Sequence, residues 1–279
     1  SAYAQWEQAV GGVETLFGSA SGIVEKNASQ AFKTAGVSAT DYMNNLNSIA
    51  ATLKQSFGGD AVKAAQAGDT AMRDMSDNAN KMGTDLSMVQ QTYQSLARGN
   101  YAMLDNLKLG YGGTKSEMER LIQTANELGK ANGESSDLSI DKFGDVVEAI
   151  HRVQENLGIT GTTSKEAATT IEGSVNMMKA SWTNLLTAIG NGQNISGTIN
   201  DFASSLGSVV SNVLPRVIVV VQNIVKALPQ AFSTLASTLP PVIMKAIESV
   251  SPSAASAISG MVSALKSAWN GVSGFFSTM

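Results

Sequence analysis

None of the 279 residues is cysteine, so the chain has neither disulfides nor thiolate metal sites to hold it together. It has one histidine, His151, which excludes histidine-rich metal centres and leaves little material for a catalytic dyad. His151 falls beside the apolar stripe of its predicted helix and reads as a flank residue. Proline is absent until position 215. Charged residues make up only 15% of the chain and net charge is −4, so no basic footprint argues for sequence-specific nucleic-acid binding. No basic n-region precedes an apolar run at the start, where residues 1–18 carry Glu7 and Glu14, so no signal peptide is expected there. The chain opens mid-pattern without an initiator methionine, which leads us to expect a piece of a longer protein.

What is present is apolar and periodic: 43% of residues are hydrophobic, enough for a sizeable core in one or two domains. The first half predicts an all-α succession of amphipathic helices. Tyr3, Trp6, Val10, Val13 and Phe17 share a face, and Ile23, Val24, Phe32 and Ala35 continue the theme to Gly36. Ser38 to Asp41 opens a helix with the stripe Met43, Leu46, Ala50, Leu53 and Phe57, which Gly58-Gly59 ends and Asp60 follows as the next cap. From Ala61 to Met82 the broad face is Ala61, Ala65, Met72, Met75, Ala79 and Met82, with Gly68 on it allowing close helix approach. Leu86, Val89, Tyr93 and Leu96 form one more helix. Later, Phe143, Val146, Val147, Ile150, Val153 and Leu157 define an amphipathic helix stopped by Gly158, with Asp141, Asp145 and Glu148 on its solvated side.

Between these helices, residues 100–122 crowd aromatics, glycines and a helix start into one stretch, NYAMLDNLKLGYGGTKSEMERLI. The run Gly110 to Ser116 invites comparison with a phosphate loop, but Thr114 stands where that motif needs its second glycine, and no β-branched strand precedes it. A capping box explains it better, with Thr114 accepting from the Glu117 amide and Glu117 reaching back. Met103, Leu104, Leu107, Leu109 and Tyr111 are too apolar for a solvated loop and predict a structured junction, packed internally or against another subunit. The helix from Lys115 should close at Gly129, with 131–137 as a polar loop. Thr163 and Glu166 predict a second capping box, opening a helix with Ile171, Val175, Met178, Trp182, Leu185 and Ile189 at the 4-3-4-3-4 spacing of a coiled-coil seam.

Composition changes sharply between Gly190 and Gly197. Of 42 charged residues only six lie beyond Gly190, and all five prolines do, at 215, 229, 240, 241 and 252. This divides the chain into a helical module, 1–190, and an apolar, proline-punctuated helical region, 191–279. Within the latter, Val217, Ile218, Val219, Val220 and Val221 form the strongest apolar run, flanked by Arg216 and Lys226. The surrounding stretch from Val209 to Leu228, 20 residues, approaches the length of a bilayer span, while Arg216, Gln222, Asn223 and Lys226 oppose that reading.

Met103, Leu104, Asp105, Asn106, Leu107, Lys108, Gly110, Tyr111, Gly112 and Gly113 lie in a segment that resembles the signature of bacteriophage tail tape measure proteins. Tyr3 to Glu7, Val10 to Phe17, Ser76 to Thr84, Gly161 to Ala167, Thr170 to Ser174 and Trp182 to Leu186 resemble other parts of the same family block. The resemblance implies a structural protein of the virion, lying as several copies in the tail lumen. Major tail protein would stack around it, so that chain length sets tail length, and tail-tip proteins would be neighbours. At genome ejection its apolar part would engage the host membrane in the cell envelope. No cofactor, metal or catalytic residue is implied, and no peptidoglycan-cleaving motif appears. The alternative is a helical membrane-inserting pore or translocator. A pure ruler would be one long rod; the 19 glycines in the first 185 residues instead predict a folded-back module.

Overall fold

Helix starts and stops follow local chemistry closely. The computed structural model describes residues 2–213, which form ten α-helices and no strand among the described residues. These are α1 (Ala2–Phe17), α2 (Ser21–Thr34), α3 (Ala39–Ser56), α4 (Ala61–Met82), α5 (Leu86–Ala97), α6 (Lys115–Asn132), α7 (Phe143–Asn156), α8 (Thr162–Thr169), α9 (Ile171–Asn191) and α10 (Ile195–Val213). Ser38, Asp60, Asp85 and Thr114 each accept a backbone N–H of the first turn they precede, satisfying donors that a helix start leaves open. Gly83 ends α4 in the left-handed conformation that a side chain resists.

The helices fold back on one another as the glycine distribution predicts. α4 is the centre: α2, α3, α5, α7 and α8 all pack against it. Met72 and Met75 are buried on its apolar side with Ala64, Ala65 and Ala71. Gly68 admits α3 at close range, since a Cβ there would sit 2.3 Å from a Leu46 methyl. The expected stripe on α3 is inside, with Met43, Leu46, Ala50 and Leu53 all buried, as are Val146, Val147, Ile150 and Val153 on α7. α9 and α10 form an antiparallel hairpin laid over α1 and α2, its two strands of helix joined by the Ser181–Ser205 hydroxyl pair and the Trp182–Phe202 ring contact at 5.2 Å.

Four local expectations are corrected. Gly129 does not close α6: it is an interior helical residue covered by the Arg152 side chain, and Gly133, at φ 74°, is the stop. Thr163 and Glu166 do not cap α8, because Thr163 already lies within the helix and Glu166 turns outward to accept from the Asn80 amide at 2.7 Å. The helix expected from Thr163 to Ile189 is two, broken at Thr170, whose extended backbone and hydroxyl start α9 afresh. Leu157, assigned to the apolar stripe of α7, is 51% exposed because the helix has ended at Asn156.

On α9 the 4-3-4-3-4 stripe is only partly covered: Leu185 is buried, Val175, Met178, Trp182 and Ile189 are half-buried, and the buried positions beside it include Ser174, Met177, Ala180, Ser181 and Ala188. The change in composition at 190–197 coincides with the turn of the α9–α10 hairpin. Among the described residues no helix is long and apolar enough to cross a membrane. The proline-punctuated stretch, including Val217, Ile218, Val219, Val220 and Val221, lies outside the described residues.

Candidate functional site

The junction at residues 100–114 is built from the inside outwards. Leu104 and Leu107 sit in a 3-10 turn, Leu104–Leu107, and are fully buried, with Leu109 beside them. Lys108 closes this turn at φ 54°, a conformation unusual for a side-chain-bearing residue, and its ammonium donates to the Met82 carbonyl at the end of α4. Gly110 follows at φ 88°. Gly113 has no room for a side chain, because a Cβ would lie 2.3 Å from the Ala102 carbonyl oxygen. Met103 and Asn106 are half-buried, while Asp105 is exposed.

The capping box after this junction forms in modified shape. Thr114 Oγ1 accepts the Glu117 N–H at 3.3 Å, as expected. Glu117 reaches past Thr114 and accepts the Gly112 N–H at 3.0 Å, because the Thr114 N–H is already bonded to the Gly112 carbonyl. Arg120 completes the group: it donates to Glu117 and to the Gly110 carbonyl, and its guanidinium lies 4.2 Å over the Tyr111 ring. These hydrogen bonds hold the Glu117 carboxyl down at about 2. The result is a rigid exposed corner with an aromatic and a cation on display.

Sequence periodicity missed a second feature, a line of buried polar groups along α4. Asp69, Asp74, Asp77 and Asn78 are all buried. Each is matched by a residue distant in sequence. Tyr42 donates to Asp69 at 2.8 Å, and Arg73 also donates to it. Asn78 donates to the Leu107 carbonyl at 2.9 Å and to Gln154 at 2.8 Å, and Gln154 donates to the Asp74 carbonyl at 3.1 Å. Asp77 accepts the N–H groups of Gly161 and Thr163 at 2.7 and 2.8 Å, so the cap of α8 comes from α4. His151 is not a bland flank residue: its Nδ1 lies 2.9 Å from the buried Asp74 carboxylate. Asp145 and Glu148, expected on a solvated face, are half-buried and bonded, to the Ser139 N–H and Arg152 respectively; Asp141 is exposed. No residue-spacing signal announces the α4 pairs with Tyr42, Leu107, His151, Gln154, Gly161 and Thr163, since these partners lie 27 to 86 positions away.

A groove of about 550 Å³ opens over this line, with Arg73, Asp74, Asp77 and His151 on one wall and Gly161, Ser164 and Lys165 on the other. Burial pushes the Asp74 carboxyl up to about 6, helped by the nearby Asp77 and Glu148 charges and opposed by His151. The hydrogen bond to Asp74 raises His151. Both groups therefore hold protons more tightly folded than unfolded. The Asp74 contribution is complete below about pH 4 and is lost as pH rises through about 6; that of His151 comes from the charged Asp74 carboxylate, so it is absent while Asp74 is protonated and is lost again as pH rises past the raised His151 value. For Asp74 alone this amounts to on the order of 3 kcal/mol. We expect the urea midpoint of the protein to fall between pH 4 and 6, and Asp74→Asn to flatten that slope. A wild-type midpoint that rises across this interval would contradict the assignment.

The ten residues carrying the signature thus form one continuous junction, and Ser76 to Thr84 and Gly161 to Ala167 meet it or its support. The Asn78 bond to Leu107, the Lys108 bond to Met82 and the Thr84 bond to Asn106 join the first pair; Asp77 and Asn80 join the third segment. At the other end of the molecule, Tyr3 on α1 lies against Gly190 on α9, near the segment from Trp182 to Leu186. No group of side chains suited to holding a metal ion is present among the described residues. No family model, curated protein or solved structure matches the chain.

Proposed function

We propose that the chain is part of a structural phage tail protein that sets tail length during assembly and assists genome delivery through the host envelope. One observation supports this reading most: three segments that resemble tape measure proteins, far apart in sequence, are locked together by side-chain hydrogen bonds around α4. A resemblance confined to one loop would need no such agreement; one that follows a folding unit does. In this reading the copies lie in the tail lumen, with major tail protein around them and tail-tip proteins at one end. The a/d spacing of α9 then serves helix pairing, in this chain with α10 and between copies in the tail. The apolar, proline-punctuated residues beyond the described part act on the host membrane at ejection. No catalytic step, cofactor or sequence-specific nucleic-acid contact is assigned.

Tail length measured by electron microscopy tests the ruler role. The described body spans 212 residues (2–213). Drawn out as one helix it would occupy about 320 Å of tail. Folded as described it has a diameter of about 45 Å. A phage whose tape gene lacks this body should make tails shorter by one of these lengths: the first means that the body unfolds into the ruler, the second that it is stacked intact. Normal-length tails with undiminished infectivity would remove both the ruler and the delivery role. The pore alternative is tested by the same deletion together with liposomes: it expects the full chain to cause leakage without other tail proteins and tail length to be unchanged by the deletion.

A further inference from the structure

The α8–α10 layer meets the rest of the molecule along a seam unlike the interior of the body. Two grooves with walls on both sides of the seam flank it: one of about 550 Å³ beside Asp77 and α8, and one of about 240 Å³ between Trp6 and Met43 of the body and Asn184 and Asn191 of the hairpin. Polar links cross it: Asp77 to the start of α8, Asn80 to Glu166, the Ala39 N–H to Asn184 at 2.8 Å, and Lys33 to Asp201 at 3.7 Å. At the same seam the buried hydroxyls of Thr160 and Thr163 have no hydrogen-bond partner. A small apolar cluster lies at the seam itself, formed by Phe32 of the body with Ala167, Met177 and Ala180 of the layer. The main core is a separate cluster that ends at Ile159. Between the two, Gly158 and Gly161 both adopt positive φ, at 69° and 84°.

An apolar contact set apart from the main core, a grooved polar seam and a glycine-bounded connection describe a hinged part. We propose that α8–α10 is an arm that undocks from the α1–α7 body as one unit, turning at 158–161, with Asp77 as its latch. The latch works through two hydrogen bonds to a carboxylate, stronger than neutral ones and both made to the first turn of α8. When they are broken, α8 loses its only side-chain cap and Asp77 returns to water through the adjacent groove. Undocking would uncover Phe32 and the Met177 face and leave the bonds of Asp69, Asp74 and Asn78 on α4 in place. The inference stands on the seam and does not require the tail role.

Hydrogen exchange on the full chain tests it. Amides of α8, α9 and α10 should open together, faster than those of α3, α4 and α7. Asp77→Ala should speed exchange of the arm by about ten- to a hundredfold and leave α3 and α7 unchanged. A staple provides the converse in this cysteine-free chain. A Cβ at Gly190 would lie 3.0 Å from that of Tyr3, close to disulfide geometry after a small outward shift. Oxidised Tyr3→Cys/Gly190→Cys should slow the arm to the rate of the body, and reduction should restore fast exchange. Equal protection of arm and body, an Asp77→Ala effect spread evenly over both, or a staple without effect on the arm would overturn the proposal.

Discussion

Asn78→Leu is expected to destabilise the protein by about 3–5 kcal/mol, although it replaces one buried side chain by another of similar size. Asn78 is fully buried, and its amide nitrogen donates both to the Leu107 carbonyl and to Gln154 Oε1. Leucine removes both donors and leaves two buried acceptors unpaired, each worth roughly 1–3 kcal/mol. The opposing gain is smaller: leucine adds apolar volume and removes the buried Asn78 Oδ1, which has no hydrogen-bond partner, and this holds the net cost below the full sum of the two lost acceptors. Urea unfolding gives the size of the effect, and proteolysis gives its place: cleavage should become fastest within 100–113, where the 3-10 turn loses its tie to α4. The Thr84 bond to Asn106 makes a control, being long at 3.4 Å. Thr84→Val should change stability by less than about 1 kcal/mol. If Asn78→Leu is equally mild, the junction is held by its leucines alone and the hydrogen-bonded link between the resembling segments loses its importance.

The residues that decide this outcome mark the limit of what the sequence discloses. Helix order, the caps at Ser38, Asp60 and Thr114, and the apolar stripes of α3 and α7 follow from rules acting over four or five residues, and the fold obeys them. α4 was only half legible. Its alanines and methionines announce one buried face, and by periodicity the opposite side, with Asp69, Asp74, Asp77 and Asn78, belongs to solvent. That side is buried because α4 is central and other helices cover it, which is a fact about topology. Periodicity counts apolar residues; it has no term for a carboxylate that finds Tyr42, His151 or two backbone N–H groups when the chain folds. The same limit explains the failed capping box at Thr163 and Glu166. Its spacing is right, but Asp77 reaches the N–H groups of Gly161 and Thr163, and Glu166 is left to bond Asn80.

Gly129 raises the same question for α6, and its answer leads to the second large effect, Arg152→Met. Glycine in mid-helix weakens the helix by about 0.5–1 kcal/mol relative to alanine, so it reads as a stop. Here a Cβ would fall 2.2 Å from Arg152 Nη1 and 2.4 Å from the Ser135 carbonyl oxygen, so the space belongs to the guanidinium. Arg152 is only 8% exposed; it donates to Glu148 at 2.8 Å and to the carbonyls of Ser135 and Ala125, and lies 3.3 Å from Glu134. Breaking a fully buried ion pair costs about 3–5 kcal/mol. Glu134 and Glu148 are nearly half exposed and can be rehydrated, so Arg152→Met should cost less, about 2–3 kcal/mol, mainly through the loop 134–142 that the Ser135 bond holds down. A double-mutant cycle separates this account from simple loss of packing. Gly129→Ala should destabilise the wild type, because both obstructing groups are fixed. In the Arg152→Met background one obstruction is gone and the other is free to move, so the same change should be near neutral or stabilising through helix propensity. Additive effects of the two substitutions would mean that Gly129 is glycine for a reason unconnected with Arg152.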